Sequence, residues 1–171
     1  MSENLYVMDT SSFIELGRKF GKYKDVVVSL WKGMEQLAKN GQLCAPMKVF
    51  DELNPETDME KDEVRKWVES HKQVLFREID ADQLIVLKGV IRKYPNWVNP
   101  ETDKNDADPY VVALALALKQ CKQKKMIEYQ IVVVNEESTD PKRLKIPSVC
   151  KEYGIKSLNL HDMFVEEAWK F

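Results

Sequence analysis

The chain of 171 residues contains 44% hydrophobic and 32% charged residues and has a formal net charge of −2. These values are typical of one globular domain, and they exclude a disordered chain or a protein whose whole surface is basic enough to bind nucleic acid. No apolar run approaches the ~20 residues that span a bilayer, and the first residues lack the basic and apolar segments of a signal peptide, so we expect a cytoplasmic protein that does not bind membranes.

Short apolar runs alternate with amphipathic segments in the first half of the chain. Residues 5–8 form an apolar run that stops at polar residues suited to capping a helix. The elements predicted in chain order are a strand at 5–8, a helix that begins near Ser12, a helix at 25–39, a strand at 42–45, a helix opened by Pro46, and helices at 58–71 and 80–94.

The second half of the chain continues this alternation. Residues 131–134 are a β-branched run typical of a buried parallel strand, and residues 110–118 are apolar nearly all round, which predicts a buried helix. The remaining predicted elements are a loop at 95–108, a helix at 147–153, a strand at 157–160 and a helix at 163–169. Together the elements predict a single domain, 1–171, with a three-layer α/β/α fold and a central, mostly parallel sheet of four to five short strands.

Four acidic residues fall where such a sheet forms its sites. Ligands bind beyond the carboxyl ends of parallel strands. Asp9 directly follows the first strand, and Glu136 directly follows the strand at 131–134. Glu52 lies in the helix after the second strand, and Asp108 lies at the start of the buried helix. We therefore expect these carboxylates to gather in one pocket.

A pocket of this kind requires a divalent cation. Several carboxylates that share one pocket repel each other and lose hydration unless such an ion neutralises them. The three cysteines and two histidines are too scattered for a zinc site, so the ion would have oxygen ligands, which points to Mg²⁺ or Mn²⁺. Such an ion polarises a phosphodiester oxygen and lowers the pKa of water that attacks phosphorus.

Four segments resemble the motifs of the PIN-domain (PilT N-terminal) nucleases, in the family's order and across nearly the whole chain. In that family an apolar strand delivers an aspartate, a glutamate precedes leucine on the next helix, an aspartate opens a buried helix, and a last strand ends at an acid. The matching segments are VMDTS at 7–11, VFDEL at 49–53, DPYVVALA at 108–115 and VVVNE at 132–136.

The resemblance implies a PIN-like fold and an Mg²⁺- or Mn²⁺-dependent ribonuclease that leaves a 5′-phosphate. It implies that Asp9, Glu52 and Asp108 bind the metal directly or through water, and that Glu136 completes the cluster. It also implies a VapC-like toxin, with an antitoxin protein as a partner and a homodimer as its assembly. The family usually has threonine or serine at the position of Val134 and aspartate at the last acid, so the neighbouring Glu137 is an alternative to Glu136.

Plainer roles remain open for the same residues. Asp9 and Asp108 both suit helix caps, the latter because Pro109 favours a first helical position. Glu52 alone would be ordinary helix surface, and Glu136 and Glu137 would be turn residues. Asp103 and Asp106 compete with Asp108, and we rank Asp106 as a possible outer acid.

Further candidates surround the acids. Ser11 is a helix cap that could also hydrogen-bond a water or a phosphate. Lys142, Arg143 and Lys145 follow the fourth acid and are candidates for contacts with the RNA backbone. The alternative function is a catalytically inactive PIN-like module that binds RNA or a protein partner, and the altered fourth motif favours it.

Overall fold

A parallel sheet with helices on both faces forms the centre of the protein, which a computed structural model describes for residues 3–53, 63–97, 107–125 and 129–170. The strands in these ranges are β1 (Glu3–Met8), β2 (Leu43–Pro46), β3 (Phe76–Arg77), β4 (Tyr129–Val134) and β5 (Lys156–Leu158). They lie in the order β3-β2-β1-β4-β5, and all neighbouring strands are parallel. The predicted three-layer α/β/α fold is confirmed.

The helices connect the strands in the predicted order. They are α1 (Thr10–Phe20), a short 3-10 helix (Gly21–Tyr23), α2 (Val28–Lys39), α3 (Met47–Leu53), α4 (Glu63–Ser70), α5 (Lys72–Leu75), α6 (Ala81–Lys93), α7 (Ala107–Lys125), α8 (Ile146–Glu152) and α9 (Leu160–Glu166). In the ranges that the structure describes, none of these helices combines the length and the apolar character that crossing a bilayer requires.

The two central strands, β1 and β4, are buried on both faces. Their register pairs Tyr6 with Val132 and Met8 with Val134, and these four side chains are fully shielded from water. Helix α7 contacts β1, β2 and β4 and covers one face of the sheet with an almost continuous apolar surface. Burial of each such side chain contributes about 1.5–3 kcal/mol, so the apolar runs of the sequence account for the sheet.

The strand order reverses between β1 and β4. The chain passes from β1 to β2 on one side, whereas β4 leads to β5 on the other side. With right-handed crossovers, the two connections lie on opposite faces and leave a crevice beyond the carboxyl ends of β1 and β4. Asp9 and Asn135 are the first residues after these two strands, and they stand at the crevice.

Some boundaries differ from the sequence predictions. Pro46 is the last residue of β2 and not the first of a helix, because its ring tolerates a strand end where no donor is needed. β3 was not predicted, because two residues are too few to produce a periodic pattern. Helix α7 begins at Ala107, which places Asp108 inside the first turn. The last helix begins at Leu160 and not at 163, after a cap by the side chain of Asn159.

Candidate functional site

Asp9 is held at the crevice by its backbone and by α1. Its backbone N–H donates to Val134 O at 2.9 Å, which continues the pairing of β1 with β4. Its Oδ2 accepts hydrogen bonds from the backbone N–H of Ser11 at 3.2 Å and from Ser11 Oγ at 2.7 Å. The capping role of Asp9 is therefore observed, and it occupies one carboxylate oxygen.

The second oxygen of Asp9 has a different environment. Asp9 is 4% exposed, and its buried Oδ1 has no hydrogen-bond partner among the described residues. Burial raises the pKa of Asp9, the hydrogen bonds from Ser11 and Thr10 lower it, and the charge of Glu137 raises it. A buried acceptor without a partner is costly, so this atom is suited to receive a ligand.

Glu52 connects the starts of two helices across the site. Its Oε2 accepts a hydrogen bond from Thr10 Oγ1 at 2.5 Å, and its Oε1 accepts one from the backbone N–H of Ala107 at 3.0 Å. Thr10 adjoins Asp9 and Ala107 adjoins Asp108, so Glu52 links the two aspartates through their neighbours. Glu52 is half-buried and is not the solvated surface residue that its position on a helix allowed.

Asp108 experiences the charges of the other acids. Burial is the largest cause that raises the pKa of Asp108, which reaches about 8. The negative charges of Asp9, Glu137 and Glu52 raise it further, and Lys145 lowers it. The structure thus brings the first three predicted acids into one electrostatic neighbourhood.

The two candidates for the fourth acid have different hydrogen-bond partners. Glu136 Oε1 accepts a hydrogen bond from the backbone N–H of Leu160 at 2.7 Å, which directs this exposed residue toward the start of α9. Glu137 is the one whose charge raises the pKa of both Asp9 and Asp108. Of the two, Glu137 is therefore the acid that interacts electrostatically with Asp9 and Asp108.

Glu137 is fixed by its own contacts. Its Oε1 lies 3.1 Å from Lys145 Nζ, and its Oε2 accepts the backbone N–H of Ile146 at 3.0 Å. Asn135, which is 2% exposed, accepts the backbone N–H of Glu137 at 3.1 Å and donates to Ser157 Oγ at 2.8 Å. Sequence reasoning missed Asn135 as a positioning residue, although a polar residue between an apolar strand and an acid is the available signal.

The remaining predicted residues have varied positions. Ser11 Oγ is engaged by Asp9 and also accepts the backbone N–H of Glu136 at 3.1 Å. Asp103 and Asp106 lie outside the described residues. Lys142 and Arg143 are exposed in the loop after β4, whereas Lys145 is half-buried in its ion pair with Glu137.

We call Asp9, Glu52, Asp108 and Glu137 the acidic site. In the part of the chain that the structure describes, no three carboxylate, imidazole or thiol groups are arranged to hold one ion together. A divalent cation would nevertheless give a partner to Asp9 Oδ1, which has none among the described residues. It would also neutralise the negative charges that act on Asp108. Asp9 and Asp108 could ligate such an ion, whereas Glu52 and Glu137 already have hydrogen bonds and position the starts of α1, α7 and α8.

Comparison with known proteins gives a family but no activity. No curated protein and no solved structure matches the chain. A family described as a domain of unknown function, DUF4411, matches residues 6–171. The match covers β4, the second half of β1 and all four residues of the acidic site, and the chain belongs to the DUF4411 family.

Proposed function

We propose that this protein is a metal-dependent ribonuclease that hydrolyses RNA phosphodiester bonds at the acidic site, with Mg²⁺ or Mn²⁺ on Asp9 and Asp108. The observation that carries the proposal is the buried Oδ1 of Asp9, which has no hydrogen-bond partner among the described residues, in a site where the charges of Asp9, Glu52 and Glu137 act on Asp108. The resemblance of four sequence segments to PIN-domain nucleases supports the same chemistry.

The residues of the acidic site have different roles in this reaction. Asp9 and Asp108 would hold the divalent ion, which would neutralise the carboxylates, polarise the phosphodiester and make water more acidic. Asp108, whose pKa is about 8, releases its proton when the ion binds. Glu52 holds the starts of α1 and α7 together and so keeps Asp9 and Asp108 in place.

Hydrolysis requires the RNA strand to cross the crevice. Water adds its oxygen to phosphorus, the bond from phosphorus to O3′ breaks, and O3′ takes a proton, which leaves a 5′-phosphate. Lys142 and Arg143 are exposed in the loop that follows Glu137, and we assign them to contacts with the RNA backbone.

The test compares two aspartates that both cap helices. Asp9 caps α1, and Asp80 caps α6 by accepting the backbone N–H of Gln83 at 2.7 Å. Asparagine retains the capping oxygen, so Asp9→Asn and Asp80→Asn should both fold. With Mn²⁺ and single-stranded RNA, we expect the wild type and Asp80→Asn to cleave, EDTA to stop cleavage, and Asp9→Asn to lose at least about 100-fold in rate. Equal activity of the two variants would overturn the proposal.

We also propose that the nuclease acts as a toxin held by an antitoxin protein and that it forms a homodimer, as the VapC-like resemblance implies. Expression of the protein alone should slow growth, and Asp9→Asn should remove this effect. Unchanged growth with active nuclease would reject the toxin role. Light scattering measures whether the chain is dimeric.

A second candidate function is an inactive module that binds RNA or protein. It is favoured by the absence, among the described residues, of three groups arranged for one ion, and by the ion pair of Glu137 with Lys145. RNA binding by clean protein, without cleavage of any RNA in Mn²⁺, would identify this function.

A further inference from the structure

A cleft lies beside the acidic site, at the carboxyl end of β3. The cleft has a volume of about 150 Å³, and Arg77, the last residue of β3, lines it. Helix α3 contributes Lys48 to the cleft and Glu52 to the acidic site, and α7 contributes Tyr110 to the cleft and Asp108 to the acidic site. The cleft and the acidic site are therefore neighbours on one edge of the sheet.

One residue that lines this cleft carries a buried amide donor. Gln83 on α6 lines the cleft, is 2% exposed, and has a buried Nε2 without a hydrogen-bond partner within the described ranges. Leaving such a donor unsatisfied costs about 1–3 kcal/mol, and buried amides are otherwise almost always paired. An acceptor that reached this nitrogen from the cleft would satisfy the donor.

Two cations of the cleft also have no acidic partner among the residues that the structure describes. Lys48 and Arg77 are half-buried, and neither forms an ion pair with an acid in the described part of the chain. The two acids at the cleft, Asp51 and Glu78, are exposed to solvent. Half-buried positive charges beside a neutral donor favour a ligand that has both an anionic group and an uncharged acceptor.

We propose that this cleft binds a pyrimidine nucleotide of the RNA strand next to the bond that is cut, an inference that rests on the proposed function. A keto oxygen of the base accepts from Gln83 Nε2, and the adjoining phosphate contacts Lys48 and Arg77. The volume of about 150 Å³ is below the ~300 Å³ of common small-molecule sites, which favours one ring over the two of a purine. In this proposal the acidic site hydrolyses the phosphodiester bond, and the cleft determines which nucleotide lies next to that bond.

The test measures binding without cleavage. Fluorescence anisotropy in EDTA follows fluorescein-labelled oligo(U), oligo(C) and oligo(A), and the wild type should bind the two pyrimidine oligomers more tightly. Gln83→Met conserves volume and removes the unpaired amide, so it should fold and lose this preference. Arg77→Gln should lower the affinity for all three oligomers by about five- to tenfold, because phosphate contacts do not depend on the base.

Matched controls use exposed residues away from the cleft, Gln73→Met and Arg92→Gln, and both should bind as the wild type does.

An oligo(A) preference, or unchanged binding by both Gln83→Met and Arg77→Gln, would overturn the inference. If the wild type cleaves RNA while the cleft variants bind normally, the cleft inference fails and the nuclease stands. If the wild type cleaves nothing but Gln83→Met abolishes a pyrimidine preference, the nuclease fails and the cleft stands. A wild type that binds none of the oligomers rejects the cleft.

Discussion

At the level of single residues, the acidic site consists of carboxyl groups that lie partly out of water and interact through their charges. Asp108 shows the consequence most directly, since burial and then the charges of Asp9, Glu137 and Glu52 raise its pKa from 3.8 to about 8. Between about pH 4 and pH 8, the folded protein therefore holds a proton on Asp108 that the unfolded chain releases. The free energy of unfolding of the metal-free protein should fall as the pH rises through this range.

The variant Asp108→Asn should remove the contribution of Asp108 to this pH dependence. Below about pH 4 the variant and the wild type should be equally stable, because Asp108 is protonated in both states of the chain. Above that pH the variant should become the more stable protein, by on the order of 1–3 kcal/mol at pH 8 once solvent screening is allowed for. Urea unfolding in EDTA at several pH values measures the difference. Asp25→Asn, at an exposed acid, is the control, and parallel curves for Asp108→Asn and wild type would contradict the expectation.

The identity of the fourth acid can be decided by two isosteric variants. In Glu137→Gln and Glu136→Gln, the amide oxygen can still accept the backbone N–H of Ile146 or Leu160, so the local fold should survive. We expect Glu137→Gln to lose about 10- to 100-fold in Mn²⁺ affinity and in RNA cleavage, as outer-shell partners of metals do. Glu136→Gln should change either quantity by less than about threefold. The reverse order of effects would make Glu136 the fourth acid.

At the level of elements, the end of α9 anchors the C-terminal segment on α2. The backbone N–H of Trp169 donates to Phe164 O at 3.1 Å, and that of Ala168 donates to Val165 O at 3.0 Å, while Ala168 has a φ of 53°. This is the hydrogen-bond pattern of a Schellman cap, and the accompanying apolar contact is the stacking of Trp169 on Phe164 at 5.5 Å. The cap thereby directs the Trp169 ring onto α2.

Gly33 of α2 leaves the space that this ring needs. A Cβ at Gly33 would lie 2.7 Å from Trp169 Cζ2, whereas a Cβ at Gly89 of α6 would meet nothing within 4 Å. Alanine in place of a helical glycine stabilises by about 1 kcal/mol when space allows. In urea unfolding, the free energy of unfolding of Gly89→Ala should rise by about this much. That of Gly33→Ala should not rise, and its tryptophan fluorescence should shift to longer wavelength. Equal gains by both variants, without a spectral change, would show that Trp169 does not pack there.

At the level of the whole molecule, the sheet could be predicted from apolar runs because its central strands are buried on both faces. Residues 5–8 and 131–134 leave no polar alternation, and both runs lie in strands of the confirmed α/β fold. β3 could not be predicted, since Phe76 and Arg77 show no periodicity, and only pairing with β2 makes them a strand. That strand positions the cleft that we assign to the pyrimidine.

In the candidate site, the positions of the two aspartates could be predicted from the sequence, whereas the orientation of the glutamates could not. Asp9 and Asp108 adjoin the ends of elements, and element ends at the carboxyl edge of the sheet converge. The backbone N–H of Glu137 donates to Asn135, whose side chain in turn contacts Ser157 in β5, 22 residues later, and Glu136 contacts Leu160. Adjacent residues in a turn point in directions that only such long-range contacts determine.

A bound ion should change the stability of the whole molecule, and this gives a test that is independent of RNA. A ligand that binds only the folded state stabilises by about 2.7 kcal/mol at 100 times its Kd. Because the ion must displace the proton of Asp108, whose pKa is about 8, the rise in Tm at a given Mn²⁺ concentration should grow from pH 6 to pH 8. Differential scanning fluorimetry measures it, with Asp9→Asn and Asp108→Asn expected to lose the shift and Asp25→Asn to retain it. A shift that is equal in all four proteins would mean that Mn²⁺ binds elsewhere, and the acidic site would then have to be explained without a metal.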